Sequence, residues 1–324
     1  MAGNRPLSPP SHAPASTESN SDVPMMKNLL YRLDVKGSPY LYIVPFFLLF
    51  AAFGIFPLAY TAWVSLHEWS LLSETHTFLG LQNYRDLFAD EYFWNALRNT
   101  AQIWVLSTVP QLLMALVLAH VLNQRLRAPT FWRMTAVLPN ITSVAAVAII
   151  FGQIFGKDYG LVNWLLETLG LGRIDWQAGT ASSQIAISVM IIWRWTGYNA
   201  LIYLAAMQAV SKDLYDAASL DGASSFQQLT RITVPAIRPT IIFTVIVSTI
   251  GGMQVLAEPL LFGGASVTGG SDRQFQTLSL YLYEVAFSRF DFGYASTAAW
   301  AMFGIIVIVA AINYFLTSRL RRSS

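Results

Sequence analysis

The chain has no cysteine, which excludes disulfides, thiolate metal sites and cysteine nucleophiles. Charge is also scarce. Asp, Glu, Lys and Arg make up 12% of 324 residues, about half the share of a typical soluble domain. The four histidines, His12, His67, His76 and His120, are scattered with no ligand spacing, so neither a metal centre nor a clustered acid, base and nucleophile is expected. A phosphate-cradling loop is missing too. Its nearest approach, Gly152 to Asp158, has the wrong glycine spacing before Gly156-Lys157 and no hydroxyl after it. No catalytic residue and no bound cofactor are therefore assigned, and the net charge of +2 calls for no nucleic-acid partner.

What the chain has in excess is apolar length, with 54% apolar and 14% aromatic residues. Six runs approach the roughly 20 residues that cross a bilayer core: about 40–63, 103–121, 134–154, 185–207, 240–261 and 295–315. In hydrocarbon each backbone amide must be paired within its own segment, so these are expected to be helices. The fold class is all-α, a polytopic membrane protein with six transmembrane helices. Residues 1–27, rich in Pro, Ser, Asn and Ala, are expected to be a disordered tail, with 28–324 forming the membrane domain. The tail lacks the charged region, short apolar core and cleavage site of a signal peptide.

Lys and Arg accumulate in cytoplasmic connections. Thirteen of the twenty fall on the side of both termini: Arg5, Lys27, Arg32 and Lys36, then Arg125, Arg127 and Arg133, then Lys212, Arg231 and Arg238, and finally Arg319, Arg321 and Arg322. Six fall on the other side, and Arg194 lies within the fourth run. The termini and the loop around residue 220 are accordingly expected in the cytoplasm. On the far side, the connections near 67–98, 156–184 and 263–290 contain amphipathic stretches that suit either interfacial helices or a platform for an external protein.

Between the fourth and fifth runs lies a polar island with legible local signals. Ser211 is placed to cap a helix over 212–220, and Gly222 stands where a left-handed C-terminal cap is wanted. Ser224 with Gln227 forms a capping-box pattern opening a second helix that Pro235 is expected to stop. Such an elbow could lie on the headgroups or dock in another protein, presenting Leu214, Ala217 and Ala218 with Asp216 and Asp221. Asp216-Ala217-Ala218, three residues, Gly222, then Ile232 and Val234-Pro235 resemble the coupling-loop signature of ATP-binding-cassette import permeases, with Asp for Glu and Val for Leu. The resemblance implies the type I importer permease fold and an ATPase contact made by Asp216, Ala217, Ala218, Asp221, Gly222, Ala223, Phe226 and Pro235. It also implies partners: two cytoplasmic ATPase subunits that use ATP and Mg, a second homologous permease subunit, an extracytoplasmic solute-binding protein, and the lipid of a bacterial inner membrane.

A solute path is expected along the fourth and fifth runs. An Arg at mid-bilayer costs at least about 2.5–3.5 kcal/mol, so Arg194 needs a partner, and Glu258 is the one acidic candidate within a run. Trp193, Gly197 and Ala200 share a helical face with Thr196 beside them, and Gln254 and Glu258 are expected one turn apart on one face. After its first residues the chain is similar to maltose-type carbohydrate permeases, whose sugar contacts map by position to Trp193, Thr196, Gly197, Gly251 and Gln254. The segments 251–264 and 276–283 resemble permeases for cellobiose and related oligosaccharides. Permeases for glycerol phosphate or polyamines, and an ion-coupled secondary carrier, are the competing readings. The scarcity of intramembrane carboxylates weighs against a polycation and against ion coupling.

Overall fold

The computed structural model describes residues 40–70, 76–124 and 126–322, with side chains as far as residue 315. The expected tail, together with Arg5, Lys27, Arg32, Lys36, Arg125 and the side chains of Arg319, Arg321 and Arg322, lies outside them. Two compact units are distinguished, up to Tyr60 and from Thr61 onward. The first carries most of a helix over Tyr40–Val64, widened by a π-turn at Ala51–Ile55.

Among the described residues four helices are long and apolar enough to cross a bilayer: Tyr40–Val64, Glu91–Leu122, Thr180–Gln208 and Phe292–Phe315. Two further pairs of helices are apolar enough only when taken together, and each is sharply bent. Pro129–Ile141 and Val144–Ile154 meet at 89°, and Ser225–Ala236 and Arg238–Met253 meet at 75°. The expected third span is therefore not one straight helix. Thr142 leaves helical geometry at ψ 140°, and its hydroxyl donates to the Leu138 carbonyl at 2.8 Å, a local bond that competes with continuing the helix.

The fifth span departs from expectation in the same way. Arg238–Met253 ends at Gln254, and a new helix, Ala257–Phe262, begins three residues later. Gln254 and Glu258 therefore do not share a helix face. Gly251 and Gly252 weaken this stretch, and Pro259 has no amide hydrogen with which to continue the ladder.

Spans two and four, Glu91–Leu122 and Thr180–Gln208, form the most extensive helix pair. Small side chains let them approach: Ala115, Ala119 and Ala200 are wholly buried. Gly197 meets the third span so closely that a Cβ there would lie 1.7 Å from the Ala136 carbonyl oxygen. Polar bonds tie the remaining spans, from Tyr203 to Thr244 at 2.7 Å and from Asn313 Nδ2 to Thr249 Oγ1 at 3.0 Å. Each contributes about 0.6 kcal/mol, a typical intramembrane value.

The connections at the end opposite the polar island are more ordered than amphipathic caps. His67–Trp69 pairs antiparallel with His76–Phe78. Residues 263–277, expected as part of an interfacial stretch, instead form a buried polar plug in which Gln276 and Thr277 have no exposed surface. Asn99 and Asn95 donate to the Arg273 carbonyl, Gln184 donates to Asn99, and Thr277 donates to the Val255 carbonyl. Short-range sequence patterns do not reveal this, because Asn95, Asn99 and Gln184 lie on helices distant in the chain.

Glu284 closes the plug, accepting from Arg273, Arg289 and Gln276. Burial alone would raise its carboxyl, but these donors more than offset that and lower it from 4.5 to about 2. Its folded value is depressed, so the stabilisation, on the order of 2–3 kcal/mol, is present above the unfolded value near 4.5 and lost as pH falls toward 2. Thermal midpoints measured in detergent should hold above pH 5 and fall between pH 4.5 and 3. Glu284→Gln should lower the plateau and flatten that slope; a Gln variant that keeps the wild-type slope would remove Glu284 as its cause.

Candidate functional site: a central cavity and an exposed elbow

The polar island folds as its caps dictate. Ser211 Oγ accepts from the Asp213 amide at 3.3 Å and opens the helix Lys212–Leu220. Gly222 ends it at φ +77°, where only a residue without a Cβ is free of strain. The amides of Ala223 and Gly222 then return to the carbonyls of Ala218 and Ser219, at 2.9 and 3.1 Å. The capping box is complete: Ser224 accepts from the Gln227 amide, and the Gln227 side chain accepts from the Ser224 amide. Pro235 does not stop the second helix. A π-turn over Leu229–Thr233 precedes it, and the helix continues to Ala236.

Cross-braces make the elbow rigid. Tyr215 OH lies 2.9 Å from Thr233 Oγ1, and Gln228 Nε2 donates to Ser219 Oγ at 2.9 Å. His120, at the end of span two, anchors it through Ser225 at 2.9 Å. No short-range pattern signalled His120. Of the expected contact residues, Asp216, Ala217, Asp221, Gly222, Phe226 and Pro235 are exposed, while Ala218 and Ala223 are half-buried. Leu220 is 90% exposed and Phe226 72%, so the elbow presents apolar side chains left largely uncovered by the described residues.

A cavity of about 520 Å³ opens between spans two, four and five. Span five supplies Ser248, Gly251 and Gln254, and a Cβ added at Gly251 would meet open space. Span two supplies Thr108 and Gln111. Arg194 and Glu258 join across the break, Nη1 to Oε1 at 2.5 Å, with side chains only 13% and 8% exposed. They meet as the sequence implied, although the helix between Gln254 and Glu258 is broken.

Three expected pathway residues lie outside this lining. Trp193 packs against Phe151 with ring centres 5.5 Å apart. Thr196 donates to the Ile192 carbonyl at 2.6 Å, and Gly197 is filled by Ala136. Span four instead turns Arg194, Trp195, Tyr198 and Asn199 toward the cavity. Their spacing is a helical i, i+1, i+4, i+5 stripe running on to Ile202, a signal present in the sequence but outweighed there by the smaller residues. Trp195 and Tyr198 meet edge to face at 5.8 Å, leaving aromatic surface beside neutral amides and hydroxyls.

The family model described as "Binding-protein-dependent transport system inner membrane component" matches residues 100–322. A lactose transport system permease protein of Rhizobium radiobacter is 35% identical, over 87% of this chain and 93% of its own. A trehalose/maltose transport system permease protein of Thermococcus litoralis is 29% identical, over 92% of this chain and all of its own. In a crystal structure of a bacterial alginate ABC transporter with its pentasaccharide-bound periplasmic protein, one chain is superposable at TM-score 0.74 and 21% identity, covering 90% of this chain and 98% of that one.

Proposed function

Since this chain belongs to the binding-protein-dependent transport inner membrane family, we propose that it is the permease subunit of an ATP-driven importer for a neutral disaccharide or short oligosaccharide. The observation that carries the proposal is the pairing of a cavity lined by spans four and five with an elbow that connects those two spans. At about 520 Å³ the cavity falls in the roughly 300–1,000 Å³ range of small-molecule sites. Trp195 and Tyr198 suit the apolar faces of sugar rings, and Gln111, Asn199 and Gln254 suit their hydroxyls. Relatives named for lactose, trehalose/maltose and arabinooligosaccharides support a saccharide cargo; cellobiose is the specific sugar proposed.

In this reading the chain is a multi-pass inner-membrane protein with the elbow, residues 210–239, and both termini in the cytoplasm. An external binding protein delivers the sugar, and a second permease completes the path. ATP and Mg are used by two ATPase subunits rather than by this chain. Closure of the ATPases moves the elbow, and the elbow moves the wall of the cavity.

Purification through a tag on this chain should bring the ATPase and a second six-span subunit with it, and mass spectrometry should find a neutral sugar on the binding protein. Uptake by the chain alone, driven by an ion gradient, would overturn the proposal. Gly251→Leu places side-chain volume in the open space of the cavity. It should lower uptake at least about tenfold while the ATPases still copurify, and unchanged uptake would take the cavity out of the path.

A further inference from the structure

We propose that the Arg194–Glu258 pair is a charge filter that restricts the cavity to uncharged saccharides, an inference that rests on the sugar-permease reading above. Among the described residues lining the cavity these two are the only charged ones. Every other polar contact there comes from neutral groups such as Thr108, Gln111, Asn199, Ser248 and Gln254.

The two side chains come from segments separated by the break after Met253, Arg194 on span four and Glu258 on the restarted helix. They are nearly closed off from solvent, so each is the other's counter-charge in a low-dielectric setting. An acidic sugar that recruits Arg194 must detach Glu258 and leave a carboxylate buried without compensation. A cationic sugar that recruits Glu258 leaves the guanidinium in the same state. A hydroxyl disturbs neither. Arg194 Nε is itself buried with no hydrogen-bond partner, so the guanidinium depends on Glu258 for its compensation. The pair therefore selects by the penalty it places on charged cargo, not by attraction to the neutral one.

The test measures equilibrium binding to the assembled permease and ATPase complex in nanodiscs, without the binding protein, using three disaccharides: cellobiose, its uronic acid, and the cationic glucosamine dimer. Wild type should bind cellobiose and reject both charged sugars by at least about 100-fold. Glu258→Gln should improve binding of the uronic acid by at least about tenfold relative to cellobiose, and Arg194→Gln should do the same for the glucosamine dimer. A pair that only holds the helices together would weaken all three sugars alike in each single variant. That result, or wild-type binding of charged and neutral sugars with equal affinity, overturns the filter while leaving the sugar reading intact. Binding of none of the three by wild type overturns the sugar reading and the filter with it.

Discussion

Replacing Leu220 and Phe226 together by Asp should reduce ATP-driven uptake by at least about 100-fold and strip the ATPase from the purified complex, with the chain itself as stable as before. Both side chains are exposed, 90% and 72%, and sit beside caps built from other residues. Exposed changes away from packing and caps usually alter stability by no more than about 0.5 kcal/mol. Burying a Leu or Phe in a partner contributes about 1.5–3 kcal/mol each, so losing both costs roughly 3–6 kcal/mol of association, which is 100-fold or more. Uptake in proteoliposomes and copurification read the two effects separately. Full uptake, or a loss explained by a lowered thermal midpoint, would sink the elbow's assigned role.

Gly197→Val should leave almost no folded protein. Its Cβ would lie 1.7 Å from the Ala136 carbonyl oxygen and 2.5 Å from the carbonyl carbon. Both obstacles are backbone, so no rotamer change relieves them and spans three and four must part. The cost lies beyond the usual 1–3 kcal/mol of overpacking. Because the clash is with the main chain, Ala136→Gly should not rescue it. Gly251→Ala, which meets no atom within 4 Å, should fold at wild-type yield. Monodispersity on size exclusion and thermal midpoint distinguish these outcomes, and a well-folded Gly197→Val would show that the third span does not press on the fourth.

The elbow was legible almost residue by residue because caps are local: Ser211, Gly222 and the Ser224–Gln227 box each act within a few positions. The apolar runs were legible as helices, four of them as full-length spans, but the bends in the other two were not. Hydropathy sums over a window, and a single hydroxyl at Thr142 or a proline at 259 breaks a helix without changing that sum. The face of span four that lines this cavity differs from the one the resemblance indicated. Trp193, Thr196 and Gly197 were placed in the path by resemblance, yet in a membrane small residues are chiefly where helices touch, and here Ala136 packs against Gly197. Larger polar and aromatic neighbours, Trp195, Tyr198 and Asn199, were left to line the open side. The plug built on Arg273 and Gln276 was invisible because Asn95 and Asn99 reach it from a helix far along the chain, and only Glu284 is near in sequence.

The 75° bend at Ile237 has a mechanical meaning. One arm is braced against Tyr215 and Ser219; the other, sixteen residues and about 24 Å long, ends at Met253 beside the cavity. Two stiff rods joined at a near-square corner act as a bell-crank, so a thrust on the first arm swings the tip of the second. A turn of about 10° at the corner displaces that tip by about 4 Å, the width of a water molecule and more, which is enough to open or shut a sugar-sized chamber without unfolding either rod.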